Sequence, residues 1–283
     1  GLPSFVVTLA GLLFWQGVML RVLGEGGSIL IQDDVVSIEP AEDLWGQDTI
    51  EAQQTLQDLH GKTARTLTIG PAGERLSRLA TIQTATSSVA GQGGFGAVMG
   101  SKKVKALVVV GDLEVPMADK EGIRALRRSY LKQAAGAYQG MHDEGTCGIT
   151  SDSAQSGDSP VKNWGGSGLV DFPRARSDKI GGPANIGLPE YRRYGCWMCP
   201  IACGGRLRQN SGKFALEKND GVGHKPEYET LCMFGTNLLN DDLASIVKIN
   251  EICNDYGLDT ISVGATVGYA LECYENGLLT VEQ

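Results

Sequence analysis

Short apolar runs broken by turn residues occupy the first 110 positions, and patterns with a helical period take over after them. Runs at 18–23, 28–31, 35–38, 64–69 and 104–110 read as strands. The longer apolar stretch at 5–20 is too short to span a bilayer, contains Gln16 with Gly11 and Gly17, and is followed by Arg21; it reads as buried strand material. One helix is expected at 49–59, where Ile50, Leu56 and Leu59 form a sparse apolar face ahead of Gly61. Beyond 112, Asp119 is placed to cap a helix with Ile123, Leu126, Tyr130 and Ala134 along one face. The stretch 136–189 is dense in Gly, Ser, Asp and Pro, which predicts either long irregular loops over a site or a flexible linker. Asn240 or Asp241 then caps a helix with Leu243, Ile246, Val247 and Ile249 or Ile252 inward, stopped by Gly257 in a left-handed conformation. A last helix runs from about 262, with Val263, Val267, Ala270 and Leu271 on its face and Gly277 past its end. Strands followed by helices give an α+β fold. The β-rich domain is expected over 1–115 and a mainly helical domain over 116–283.

Charge and cysteine usage narrow the classes. A net charge of -8 over 283 residues disfavours nucleic acid or an anionic membrane as partner, since an acidic surface gains nothing from their counterions. Seven cysteines, an odd number unevenly spaced, make a poor disulfide framework and point to a reducing compartment.

Three of those cysteines lie in Cys196-Trp197-Met198-Cys199-Pro200-Ile201-Ala202-Cys203. C-x2-C-x3-C followed through Pro is ligand spacing, and a tight loop supplies three thiolates to an iron–sulfur cluster at low entropic cost. Zinc is the rival, but it usually takes two cysteine knuckles or added histidines, and the chain has three histidines, His60, His142 and His224. Arg192, Arg193, Arg206, Arg208 and Lys213 flank the loop; they either offset its negative charge, contact a phosphate, dock an acidic electron carrier, or form a solvated face. Cys147, Cys232, Cys253 and Cys273 have no partner at ligand spacing.

Gly91-Gln92-Gly93-Gly94-Phe95-Gly96 satisfies G-x-G-x-x-G. A dinucleotide fold would need a crossover helix before the next strand, and the seven residues 97–103 cannot make one. Two readings stay open: bare backbone approaching an anionic cofactor, or a tight turn between strands.

Three ordered segments resemble one family. Residues 90–102, with the glycine loop, are similar to the cofactor segment of aldehyde ferredoxin oxidoreductases. The loop from Cys196 to Cys203 resembles that family's cluster loop. Pro226-Glu227-Tyr228-Glu229-Thr230, followed by Cys253-Asn254-Asp255-Tyr256-Gly257-Leu258-Asp259, resembles its active-site glutamate and pterin turn. The resemblance implies a β-rich base for a tungsten (or molybdenum) bis-pterin, with helical domains above it. Gly91, Gly93, Gly94, Gly96, Lys102, Asn254, Leu258 and Asp259 would hold the cofactor. Cys196, Cys199 and Cys203 would bind a 4Fe–4S cluster. Glu229 would be the general base, with Glu227 the runner-up and His224 a second proton donor; a carboxylate buried beside the cofactor is expected to have a raised pKa.

The implied reaction is oxidation of an aldehyde to a carboxylate, with electrons passing to ferredoxin or a similar carrier in the cytoplasm. A homodimer is compatible with it. Alternatives are a tungsten-dependent benzoyl-coenzyme A reductase-like or hydroxy-acid oxidoreductase, or a non-catalytic iron–sulfur protein. The chain departs from the family pattern at Ser88 and Gln92, where arginines are usual, and at Asn254, where Asp is usual. Lys102 or Lys103 would have to compensate. The family's fourth cluster cysteine and second pterin turn fall beyond Gln283, and the chain starts with Gly1, so it is expected to be an internal fragment.

Overall fold

A computed structural model of the chain describes residues 26–33, 35–84, 88–112, 116–196 and 199–281. The apolar stretch 5–20 and the strand expected at 18–23 lie outside the described residues. The chain forms two compact units, and the segment Asn254–Asp259 belongs with the first.

In the first unit β1 (Gly27–Gln32), β2 (Val35–Pro40), β3 (Arg65–Thr68), β4 (Ile82–Thr84), β5 (Val89–Ala90) and β6 (Val104–Val110) form one sheet in the order β2-β1-β6-β3-β4-β5. β6 pairs parallel with β1 and antiparallel with β3. Helix α1 (Thr49–His60) starts where Asp48 and Glu51 make a reciprocal capping box and stops at Gly61, φ 94°. Leu44, Leu56 and Ala64 pack with Leu30, Ala106 and Val108 in the core. Two short helices follow, α2 (Pro71–Glu74) and α3 (Phe95–Ser101). The glycine-rich stretch therefore opens a helix instead of making a simple turn, and its edge strand β5 is not a neighbour of β6.

Lys105 on β6 breaks the apolar run without leaving the interior. Its side chain is 0% exposed and its Nζ lies 2.5 Å from Glu74 Oε1, while it also donates to Gln47 O at 2.8 Å. Glu74 further accepts the Gly46 amide at 3.0 Å. Burial pulls the Lys105 ammonium below its ordinary value, and Glu74 works against that pull. The pair anchors α2 to the central strand.

The second unit carries helices α4 (Lys120–Ala137), α5 (Gln139–Asp143), α6 (Thr150–Ser156), α7 (Arg174–Ser177), α8 (Gly182–Ile186), α9 (Tyr228–Phe234), α10 (Leu243–Tyr256) and α11 (Thr260–Glu275). Asp119 caps α4 by accepting Gly122 N at 2.7 Å. The expected apolar face of α4 is not an interior one: Ile123, Leu126 and Tyr130 are exposed. The cap of α10 is Asp242, whose Oδ1 accepts Ala244 N at 3.1 Å, and not Asn240 or Asp241. Gly257 does adopt the left-handed conformation, φ 70°. The sequence patterns missed a three-stranded antiparallel sheet, β7 (Arg192–Tyr194), β8 (Gly204–Arg208) and β9 (Val222–His224), in the order β7-β8-β9. Leu207 on β8 packs with Leu216 and Val247 beneath it. No helix among the described residues is long and apolar enough to cross a membrane.

Removing one partner of the Lys105–Glu74 pair strands a buried charge. Lys105→Ala is expected to lower stability by ~3–5 kcal/mol in urea unfolding, and Lys105→Met combined with Glu74→Leu to recover most of that loss. Equal losses in the single and double variants would contradict this account of the pair.

Candidate functional site

Two groups of the expected site residues assemble, one in each unit. In the first, the glycine stretch meets the turn 254–259. Thr81 N donates to Gly257 O at 2.8 Å and Asp259 N to Leu79 O at 2.9 Å, and Ala80 bridges Leu258. The Asn254 carbonyl accepts Thr49 Oγ1 at 2.7 Å and Gln83 Nε2 at 2.9 Å. These bonds hold Asn254, Leu258 and Asp259 against the lead into β4, with Asn254 and Asp259 buried and Leu258 half-buried.

The glycines divide by role. A Cβ on Gly94 would sit 2.8 Å from Arg78 O, one on Gly96 would strike Thr81 O, and one on Gly100 would strike Gly73 O. Those three are required by close backbone packing inside the unit. At Gly91 a Cβ would sit 3.0 Å from Asp259 Oδ1, so the bare backbone there lies directly against the buried carboxylate. Gly93, φ 113°, is exposed. Lys102 lies at the opposite end of α3 as its C-cap, and Lys103 stacks over Trp45 at 5.4 Å; Gln92 and Ser88 are exposed. The hydroxyl of Thr81 and Oε1 of Gln83, both buried on this wall, have no partner among the described residues. A polar-edged ring such as a pterin fits an open glycine backbone backed by a buried carboxylate and unpaired acceptors.

In the second unit the three cysteines lie on the hairpin joining β7 to β8, whose mouth is closed by the pairing Tyr194↔Gly204. Cys199 N donates to Cys196 O at 2.9 Å, and the His142 ring bonds Ile201 O at 2.7 Å through Nδ1. Cys196 and Cys199 are exposed and Cys203 half-buried. Burial, then Glu227, push the Cys203 thiol up, and Lys225 pulls it back. No cluster of three His, Cys, Asp or Glu side chains assembled for a metal occurs among the described residues. As a donor set the hairpin fits three corners of an iron–sulfur cluster, since all three ligands are soft thiols on one pinned loop.

Beside the hairpin lies a charged centre that sequence reasoning did not anticipate. Lys225 is buried, with Nζ 3.2 Å from Glu227 Oε1, 2.9 Å from Glu144 O and 3.5 Å from Cys147 Sγ. Thr146 Oγ1 donates to Glu227 and accepts Tyr228 N at 3.0 Å. Burial draws the Lys225 ammonium down, but Glu227 and Cys147 more than reverse it, leaving it above its usual value. Its signal was its place between His224 and Glu227, on the inward side of a strand end.

Glu227 is the N-cap residue of α9, and Glu229 sits exposed in its first turn. The expected burial of Glu229 is therefore not what the chain shows. Its neighbour is the Cys232 thiol, which donates to Glu229 O at 3.2 Å and lies 3.8 Å from Oε2. Burial, then Glu229, push that thiol up to about 12. His224 is largely buried, its Nδ1 3.4 Å from Glu251 Oε1 and its ring edge-on to Tyr194.

The family model for the aldehyde ferredoxin oxidoreductase N-terminal domain matches residues 24–111, and that for aldehyde ferredoxin oxidoreductase domains 2 & 3 matches 123–283. The chain belongs to the aldehyde ferredoxin oxidoreductase family. A tungsten-containing aldehyde ferredoxin oxidoreductase of Thermococcus kodakarensis is 36% identical over 259 residues, covering 90% of this chain and 41% of that protein. One from Pyrococcus furiosus is 35% identical with the same coverage. The WOR-like subunit of an aliphatic sulfonate oxidoreductase from Pyrococcus furiosus is 28% identical, over 95% of this chain and 44% of its own length. Among solved structures, the active-site complex BamBC of benzoyl-coenzyme A reductase with 1,5-dienoyl-CoA superposes with a TM-score of 0.73 at 24% identity, over 90% of this chain and 39% of that one. That likeness is one of fold. The chain spans about two fifths of the length of these aldehyde ferredoxin oxidoreductases.

The thiols of this family member differ enough to sort by reactivity. At pH 8 iodoacetamide is expected to label Cys196 and Cys199 first. Cys147, raised to about 11 by burial, and Cys232, at about 12, are expected to stay unlabelled until the chain unfolds. Peptide mapping checks this, and early labelling of Cys232 would refute the buried placement.

Proposed function

We propose that the chain supplies one pterin-binding wall and three cluster ligands of an oxidoreductase that converts an aldehyde to its carboxylate and delivers electrons to ferredoxin or a similar carrier. The observation that carries this reading is the seating of Asp259 against Gly91, which joins two motifs far apart in sequence into one wall. The bound groups, a tungsten (or molybdenum) bis-pterin and a 4Fe–4S cluster, supply two-electron oxidation and one-electron delivery. Gly93 lets the pterin approach the backbone and Gly91 lets the Asp259 carboxylate close in beside it, while Asn254, Leu258 and Asp259 fix its edge. Cys196, Cys199 and Cys203 hold the cluster at the hairpin.

Glu229 is the better proton acceptor of the two glutamates. Glu227 is engaged by the Lys225 ammonium and the Thr146 hydroxyl, whereas the side chain of Glu229 faces the Cys232 thiol, which keeps its proton. Glu227 with Lys225 then has a positioning role, holding α9 and its first turn. His224, packed against Tyr194 and Glu251, fits the same structural role better than proton donation. A cytoplasmic setting suits seven cysteines, an odd number, of which three stand at ligand spacing.

In the protein that carries this chain, Glu229→Gln is expected to cut aldehyde turnover by roughly 10²–10⁴-fold while tungsten content stays unchanged. Glu227→Gln should act mainly on stability. Unaltered turnover in Glu229→Gln would remove that residue from the reaction.

A further inference from the structure

Within the second unit a cavity of about 220 Å³ opens between residues 162–165, residues 237–239 and one face of α11. By volume it exceeds a cavity that accepts a benzene-sized molecule. Its floor is polar. Asn237 is 2% exposed, and neither its Nδ2 nor its Oδ1 has a hydrogen-bond partner among the described residues. Buried amides are nearly always paired, so one that lines a cavity with both atoms unpaired points to a ligand able to accept and donate at once.

The cavity wall is built around that amide. A Cβ on Gly268 would lie 2.7 Å from Asn237 Nδ2 and 2.9 Å from Asn163 Oδ1, so glycine leaves room for both amides at the wall. Lys162, Asn163 and Trp164 all have left-handed backbone, φ 50°, 47° and 67°. Three consecutive non-glycine residues in that region are strained. The run is clamped by Lys162 N to Thr236 O at 3.2 Å and Asn163 N to Asn237 O at 2.9 Å, with Thr236 Oγ1 tied to Pro160 O at 2.6 Å. This conformation brings Lys162 and Asn163 to the cavity.

Charge decides the ligand class. Glu272 and Glu275 lie in the last turn of α11, where the helix carbonyls already concentrate negative charge. Glu272 accepts from Asn163 Nδ2, and Glu275 has no ion pair among the described residues. That end of the cavity suits an ammonium group. Lys162, likewise without an ion-pair partner among the described residues, and Asn237 Nδ2 suit a carboxylate. A simple amine would leave the second pair unused, and a simple carboxylate would face two glutamates.

We propose that this cavity binds a small zwitterion of amino-acid size, its ammonium held at Glu272 and Glu275 and its carboxylate at Lys162 and Asn237. The site is independent of the pterin wall and the cysteine hairpin in its residues. Thermal unfolding and calorimetric titration with L-alanine and L-leucine, each beside its decarboxylated amine and its deaminated acid, test it directly. At ten times its dissociation constant the amino acid should multiply the folding equilibrium constant roughly elevenfold and raise Tm by a few degrees, with the amine and acid giving much smaller shifts. Glu275→Gln, on the exposed rim, and Gly268→Ala, which fills the wall, should each weaken binding at least tenfold; Glu275→Gln keeps the test informative should Gly268→Ala unfold. Equal binding of the amine would make this a cation site and overturn the proposal. So would the absence of any amino-acid effect, or binding indifferent to Glu275→Gln.

Discussion

The backbone pairing of residues 254–259 with residues 79–81 is the constraint on which the proposed pterin wall depends. A turn continuous in the chain with α10 and α11 is drawn into the first unit by Thr81 N to Gly257 O and Asp259 N to Leu79 O. Gly257 permits the reversal, with φ 70°, and Gly70 permits the approach, because a Cβ there would strike the Tyr256 carbonyl. Buried amides and carbonyls must be paired, so these bonds also fix where the Asp259 side chain stands. Gly91 then faces it. The glycines of this stretch differ in use: Gly94, Gly96 and Gly100 pack α3 onto its own unit, Gly91 admits the Asp259 carboxylate, and Gly93 leaves exposed backbone bare.

A second constraint is electrostatic. The cysteine hairpin is bracketed by β7 and β8 and tied by His142, while Lys225 brings a buried positive charge to the same neighbourhood and is balanced by Glu227. A buried cation survives only with a partner and hydrogen bonds, and Lys225 has Glu227, the Glu144 carbonyl and the Cys147 sulfur. This arrangement ties Glu227 to the Lys225 ammonium and the Thr146 hydroxyl. It also separates the two glutamates that look equivalent in Glu227-Tyr228-Glu229.

Much of this was legible in the chain. The helix expected at 49–59, the strand at 104–110 and the left-handed stop at Gly257 follow from local chemistry, and they appear as expected. The α+β class follows from the change of period after residue 112. Other features were hidden because they are made by tertiary partners. Arg192-Arg193-Tyr194 is too short and polar to read as a strand until β8 pairs with it. Nothing in the run 104–110 marks Lys105 as buried; Glu74, brought from a separate helix, and the Gln47 carbonyl make its burial tenable. Apolar periodicity in α4 identified a face correctly but not its environment, for Ile123, Leu126 and Tyr130 are exposed. Nor does spacing tell which glycines of 91–100 are filled by the fold and which stay open.

The Gly91–Asp259 wall and the Cys196–Cys203 hairpin are proposed to belong to a pterin-metal enzyme with an attached cluster. Metal and pterin content of the protein carrying this chain, purified without oxygen from cells supplied with tungstate and molybdate, tests it most directly. Tungsten or molybdenum is expected together with pterin and iron, and Asp259→Ala is expected to lose the pterin metal while retaining iron. Iron and sulfide alone in the unaltered protein, with neither pterin nor tungsten nor molybdenum, would contradict it.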